Sequence, residues 1–249
     1  MRWTCLLFAL AVGSCATAAP TATTATPRKT PTPTLFITTT APTSSPSPGP
    51  RAFRYIAIGA SDTVGVGASD PGNGSWPARV AARLPAGTTY VNLGVSGSVA
   101  SQASRDQLPT ALSLRPQLVT IWLAVNDLNA DLSAAEYAAA LRSVVEPLVV
   151  RTDARIFVGT VPDLRSVPAY AGRDQASLLA RITAYNAAIA AIAASFPGRV
   201  MTVDLFTGSA ALTSTITVSA DGFHPSDEGY RLIADRFATA IAAAGIPLR

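Results

Sequence analysis

The chain of 249 residues contains one histidine, His224, so any chemistry that depends on an imidazole has a single place to happen. It lies in Asp221-Gly222-Phe223-His224-Pro225. An acid three residues upstream could fix the ring's tautomer while its other nitrogen faces a nucleophile. The bland reading of the same segment is a helix-capping histidine beside a turn aspartate. Three further segments carry groups useful for acyl transfer. Gly59-Ala60-Ser61-Asp62 puts a serine after an apolar run, where it could be a nucleophile in a tight turn or only a cap. Asn92-Leu93-Gly94-Val95-Ser96-Gly97 supplies glycines that let a backbone N–H face a ligand, or merely make a turn. Ala124-Val125-Asn126-Asp127 supplies an amide that could donate to an oxyanion, or tie down its own loop.

These segments must be positioned by the elements around them. Tyr55–Ile58, Thr89–Leu93, Leu118–Leu123, Arg155–Val161 and Val200–Leu205 are short, apolar and rich in Val, Ile, Leu and aromatics, a pattern that predicts buried strands. Between them, Trp76–Leu84, Ser101–Ser113, Ala134–Val150 and Asp174–Phe196 read as helices, and Ser226–Ala244 follows the last strand. In Ala134–Val150, Tyr137, Leu141, Val144, Val145 and Leu148 fall on one helical face, and Ser133 precedes Glu136 at capping-box spacing. Five strands alternating with helices predict an α/β fold of three layers, a doubly wound parallel sheet covered on both faces. Ligands of such sheets bind at the carboxyl ends of the strands, where all four segments fall.

The residues before this alternation have another character. Arg2, the apolar run Leu6–Val12 and the small pair Gly13-Ser14 have the layout of a secretory signal, and the run is too short to span a bilayer. Val12-Gly13-Ser14-Cys15 resembles a bacterial lipobox, which would leave a lipid-modified Cys15 as the new N-terminus. Ala16-Thr17-Ala18 would instead serve ordinary cleavage. From Ala16 to Pro50, 29 of 35 residues are Ala, Thr, Pro or Ser, a composition with little to bury. The organisation read from this is a signal segment (1–15), a disordered tether (16–50) and one folded domain (51–249). The expected place is outside the bacterial cytoplasmic membrane, anchored to it through Cys15 or secreted.

Composition removes several function classes. Cys5 and Cys15 are the only cysteines, so the domain has no disulfide, no thiolate nucleophile and no cysteine metal site. With one histidine a typical zinc centre is also hard to assemble, and no cofactor is expected. Arg2, Arg28 and Lys29 precede residue 51 without any acid, which leaves 16 basic against 15 acidic residues in the domain. So even a balance gives little electrostatic reason to bind nucleic acid.

Serine, glycine, asparagine and then Asp-x-x-His, each at a carboxyl-end loop and in this order, resemble the SGNH/GDSL hydrolase family across residues 53–244. The resemblance implies a flavodoxin-like sheet and serine-ester chemistry. By it, Ser61 is the nucleophile, His224 its base and Asp221 the orienting acid. The Ser61 N–H, the Gly97 N–H and the Asn126 amide form the oxyanion hole, with Gly97 fitting the family's second block better than Gly94. Two positions depart from the family. Its Gly-Asp-Ser-Leu is Gly59-Ala60-Ser61-Asp62 here, and the glycine two before its asparagine is Ala124, a small-for-small change. An α/β-hydrolase should show Gly-x-Ser-x-Gly, and Gly94-Val95-Ser96-Gly97-Ser98 misses the last glycine. A glycosidase built on Asp62, Asp127 and Asp221 would leave Ser61, His224 and Asn126 without a shared purpose. A non-catalytic carbohydrate-binding module is the alternative of a different class. The expected partner is a small or polymer-linked ester, with pocket shape set by loops such as Ala68–Ser75 and Ser166–Arg173. Oligomeric state is left open by the sequence.

Overall fold

The computed structural model describes residues 52–211 and 214–249; the readings placed on residues 1–50, Cys15 among them, lie outside these. The first half runs β1 (Arg54–Gly59), α1 (Ser61–Val64), α2 (Pro71–Gly74), α3 (Trp76–Ala81), β2 (Thr89–Asn92), α4 (Ala100–Asp106) and α5 (Leu108–Ser113). Then follow β3 (Leu118–Trp122), α6 (Val125–Asn129), α7 (Ala134–Arg151), β4 (Arg155–Gly159), α8 (Gln175–Ala194), β5 (Val200–Val203), α9 (Ser214–Thr217) and α10 (Asp227–Ala243). All strand pairs are parallel and the sheet order is β2-β1-β3-β4-β5. The chain leaves β1 for one side of the sheet and returns to the other side with β3, so the order reverses between β1 and β3. In such sheets a crevice opens at that reversal, beyond the carboxyl ends of the strands.

Strand alternation sorts the core into two layers. Ile56, Ile58, Val119, Ile121, Ile156 and Val158 point to one face, under α4, α5, α7 and α8. Tyr55, Ala57, Leu118, Trp122 and Phe157 point to the other, under Trp76 and Val80 of α3 and Tyr230, Phe237 and Ile241 of α10. Rings of Trp76 and Phe237 stack there with centroids 4.2 Å apart, pinning α10 and therefore the loop that precedes it.

Local chemistry explains the element ends. Ser133 and Glu136 form the capping box that opens α7, Asp174 caps α8, and Ser226 caps α10. Strands β4 and β5 stop before the predicted Val161 and Leu205 because side chains take over their amides. The Val161 N–H donates to Asn186 Oδ1 at 2.7 Å, and the Leu205 N–H donates to Thr160 Oγ1 at 2.8 Å. The stretch Ser101–Ser113 is not one helix but two, broken at Gln107. Pro109 sits in the first turn of α5, where its missing N–H is harmless, whereas inside a continuous helix it would clash. Val125–Asn129, expected as loop, forms the short α6.

Candidate active site

The loop before α10 is held from within by one carboxylate. Asp221 Oδ1 accepts from the N–H groups of Phe223 and His224 at 2.8 and 2.9 Å and from the Ser219 hydroxyl at 2.8 Å. Its Oδ2 lies 2.6 Å from His224 Nδ1. Burial works to raise the Asp221 pKa, but the bonds from His224, Phe223 and Ser219 outweigh it and hold the carboxyl well below the usual range. With Nδ1–H donating to this acid, Nε2 presents its lone pair to the Ser61 Oγ at 2.9 Å. The ring is fenced on its other sides. Phe223 meets it edge-on with centroids 4.7 Å apart, and Gly67 backs its Cβ. At Gly67, with φ of +94°, a side-chain carbon would come within 2.6 Å of the Pro225 carbonyl, so only glycine lets the first loop lie against the histidine loop.

Ser61 is nearly covered and is the first residue of α1, directly beyond β1. As the first residue of a helical turn, its N–H has no intrahelical acceptor. Two further groups of interest stand on the neighbouring carboxyl-end loops, Gly97 on the loop after β2 and Asn126 across the reversal after β3. The Gly94 N–H is consumed by Asn92 Oδ1 at 2.9 Å. The Gly97 N–H, in a backbone with φ of +80°, has no acceptor among the described residues. Asn126, in the first turn of α6, gives one amide hydrogen to the Ser98 carbonyl at 3.0 Å and keeps the other. That bond fixes the Asn126 amide beside the loop that carries Gly97. Ser61, Asp221 and His224 are thus directly bonded in series, while Gly97 and Asn126 are joined to each other through Ser98.

Two residues that sequence reading did not assign hold this arrangement. Gln107, almost wholly buried, donates from Nε2 to the Gly59 carbonyl at 2.9 Å and to Ser98 Oγ at 3.2 Å, and accepts the Gly59 N–H at 3.0 Å. It therefore clamps the end of β1, two residues before Ser61, to the Gly97 loop. The signal for it was Pro109, which forbids a continuous helix and leaves a polar residue at the break. Asp127, fully buried, accepts the Ala100 N–H with both oxygens at 3.1 Å and so ties α6 to the start of α4. Burial pushes its pKa up and these bonds oppose the rise.

The Ala124 substitution in the family pattern is more than small-for-small. Ala124 has φ of +95°, a region open to glycine and strained for a side chain. Its neighbour Val125 opens onto a cavity of about 110 Å³ that Asp62, Trp122, Leu164 and Phe223 also line. The walls come from the loop after β4 (Pro162–Val167), from Leu205, Ser209, Thr217 and Val218, and from α10. Of the two loops expected to shape the pocket, Ser166–Arg173 contributes only Ser166 and Val167, and Ala68–Ser75 contributes nothing. In the latter loop Asn73 is tied by its amide to Asp70 Oδ2 at 2.8 Å, in the turn of α2. Burial pushes the Asp62 carboxyl up to about 6, with His224 drawing it down and Asp221 pushing it further up.

The model of the GDSL-like lipase/acylhydrolase family matches residues 57–232. None of the curated proteins matches the chain. Three solved structures illustrate the likeness of fold. TesA superposes with a TM-score of 0.63 at 20% identity, covering 77% of this chain and 99% of its own. A lipase/acylhydrolase from Enterococcus faecalis gives 0.60 at 19% identity, covering 79% and 97%. A variant of an acetyl-xylooligosaccharide esterase from Geobacillus stearmophilus gives 0.61 at 22% identity, covering 78% and 94%.

Proposed function

Since the chain belongs to the GDSL-like lipase/acylhydrolase family and is a serine hydrolase acting on ester bonds, we propose that it is an exported esterase of small carboxylic esters. The acyl group is acetyl or another short chain, carried by a carbohydrate, a lipid or another alcohol. The observation that carries the site assignment is the unbroken series Asp221 Oδ2, His224 Nδ1, His224 Nε2, Ser61 Oγ, with steps of 2.6 and 2.9 Å.

In this reading His224 takes the proton from Ser61 as its oxygen attacks the ester carbonyl. The carbonyl oxygen becomes an oxyanion held by the Ser61 and Gly97 N–H groups and the free amide hydrogen of Asn126. Asp221 keeps the imidazole in the receptive tautomer and stabilises the imidazolium that forms. The imidazolium returns its proton to the departing alcohol, which breaks the C–O bond and leaves an acyl-enzyme. Water repeats the sequence and frees the acid and Ser61. A small cavity beside the site supports a short group at one end of the ester. A similarly folded acetyl-xylooligosaccharide esterase supports the acetyl end of the range. Export rests on the segment from Arg2 to Ala18, with Cys15 as lipid anchor or with ordinary cleavage and release.

Hydrolysis of p-nitrophenyl acetate and butyrate by the purified chain, run beside Ser61→Ala, tests the reading. Activity in the parent that disappears in a folded variant is expected. Equal activity in both would remove Ser61 from the mechanism, and a folded but inactive parent would favour a binding role for the crevice.

A further inference from the structure

The cavity lies against the reacting centre. Asp62 follows Ser61, Val125 precedes Asn126, and Phe223 and Pro225 bracket His224, and all four line it. No residue of the Gly94–Val99 loop does, so the cavity opens on the side away from the Gly97 donor. Its walls are mostly apolar, with Trp122, Leu164, Phe223 and Ile233 among them. Of the charged groups that line it, Asp163 is bonded by Arg165 and Arg236 bonds the carbonyls of Asp204 and Thr207, which sets Asp62 apart. Among the described residues, no donor other than its own N–H bonds its carboxylate.

The other buried acids of the domain are not left this way. Asp127 accepts the Ala100 N–H, and Asp163 is bonded by the Arg165 guanidinium at 2.9 and 2.7 Å. Even the more exposed Asp221 has four donors. A half-buried carboxylate facing apolar walls is costly unless something donates to it. The donor that the protein omits is one that a bound substrate can supply.

We propose that Asp62 is a specificity-determining residue: its carboxylate accepts a hydrogen bond from a hydroxyl on the part of the ester that enters this cavity. The enzyme then favours hydroxylated esters over their alkyl counterparts. The proposal rests on the esterase reading above. A hydroxyl suits the cavity better than a cation, because positive charge is already there. Arg236 lines it, held by the carbonyls of Asp204 and Thr207 at 2.7 and 2.6 Å, while Asp163 across from it is neutralised by Arg165. An alkyl group would strip water from the Asp62 carboxylate and return nothing.

Isosteric ester pairs test this on both sides of the carbonyl. Methyl 3-hydroxybutyrate against methyl 3-methylbutyrate places the hydroxyl in the acyl group. 2-Hydroxypropyl acetate against 2-methylpropyl acetate places it in the alcohol. Acetylcholine against 3,3-dimethylbutyl acetate places a cation there instead. The readout is the ratio of kcat/KM within each pair for the full chain, Asp62→Leu and Asp62→Asn. Because Asp62 also acts on His224, single rates will change in the variants, but a ratio within a pair cancels that.

The expected result is a preference for the hydroxylated ester on the order of tenfold in one of the two arms, lost in Asp62→Leu. The arm in which it occurs tells whether the acyl or the alcohol group fills the cavity. Ratios near one in both arms, or a preference that Asp62→Leu leaves intact, overturn the proposal. So does a larger, Asp62-dependent preference for acetylcholine, which would make this a cation site. Should Asp62→Leu fail to fold, the near-isosteric Asp62→Asn carries the comparison. A folded parent inactive on p-nitrophenyl acetate and on every pair would bring down the esterase reading and this proposal with it. Activity with unchanged ratios brings down the proposal alone.

Discussion

At the scale of single residues, the chain separates groups that react from groups that hold them, and only the first kind is easy to read in a sequence. A lone histidine three residues after an aspartate, in a chain with no other imidazole, has few alternative uses. Its Nδ1 partner is that aspartate and not a backbone carbonyl. Asn126 was legible for a similar reason: a side-chain amide just after an apolar strand can donate where a carboxylate cannot. Its amide gives one hydrogen to Ser98 and keeps one. Asn126→Ala is therefore expected to lower kcat by roughly 100- to 1000-fold while KM for p-nitrophenyl acetate changes little, since the lost donor acts chiefly in the transition state. Unchanged turnover in a folded variant removes Asn126 from the oxyanion hole. Gln107 was not legible, because a buried glutamine announces itself only through its partners. Both hydrogen-bonding sites of Gly59 and the Ser98 hydroxyl lie 9 to 48 residues away in sequence.

At the scale of elements, register and break points decide what the reacting groups can reach. The strand cores were readable because strands buried on both faces must be continuously apolar. Their last residues were not, since distant side chains such as Asn186 and Thr160 cap them. The break between α4 and α5 has a purpose that a single helix could not serve: it turns Gln107 inward between β1 and the Gly97 loop. Gln107→Leu leaves the buried Gly59 N–H unpaired and the Gly59 carbonyl with the Val95 N–H alone, which is expected to cost about 1–3 kcal/mol of stability. It should also lower kcat for p-nitrophenyl esters more than it raises KM, because Ser61 and Gly97 lose their common brace. A variant with reduced stability and unaltered kcat would limit Gln107 to a structural role. At the other end of the crevice, Ala124 holds a glycine-like φ of +95° at the turn into α6. Relief of that strain, worth about 1–2 kcal/mol, opposes the loss of a buried methyl and the extra freedom of glycine in the unfolded chain. Ala124→Gly is accordingly expected to be neutral or to stabilise by up to about 1 kcal/mol. The same change at Ala139, exposed in the middle of α7, is expected to cost about 1 kcal/mol. Chemical denaturation of the two variants distinguishes them, and equal destabilisation would show that the Ala124 turn is not strained.

At the scale of the whole molecule, the sheet order explains why these elements meet. Reversal between β1 and β3 parts the loops after two adjacent strands, and Ser61 and Asn126 stand on those two loops. The stacked Trp76 and Phe237 then fix α10 so that its preceding loop brings His224 over Ser61. Into this frame the chain places one group that works against its own stability. The Asp62 carboxyl is pushed up to about 6 by burial, so the folded protein holds its proton more tightly than the unfolded chain does. A carboxyl raised in this way contributes stability that is fully present below its ordinary pKa of about 4 and is lost as pH rises through about 6. Asp221 behaves oppositely: its depressed pKa stabilises the fold at neutral pH and fails only in strong acid. Asp62→Asn removes the first effect and leaves the second. Its melting temperature should match the parent's near pH 4 and exceed it by several degrees near pH 8, a difference on the order of 1–2 kcal/mol. An equal offset at both pH values would mean that the Asp62 carboxyl is not desolvated in the fold. If the gain appears together with loss of the preference for hydroxylated esters, the carboxylate is retained at a cost in stability because its missing donor arrives with the substrate.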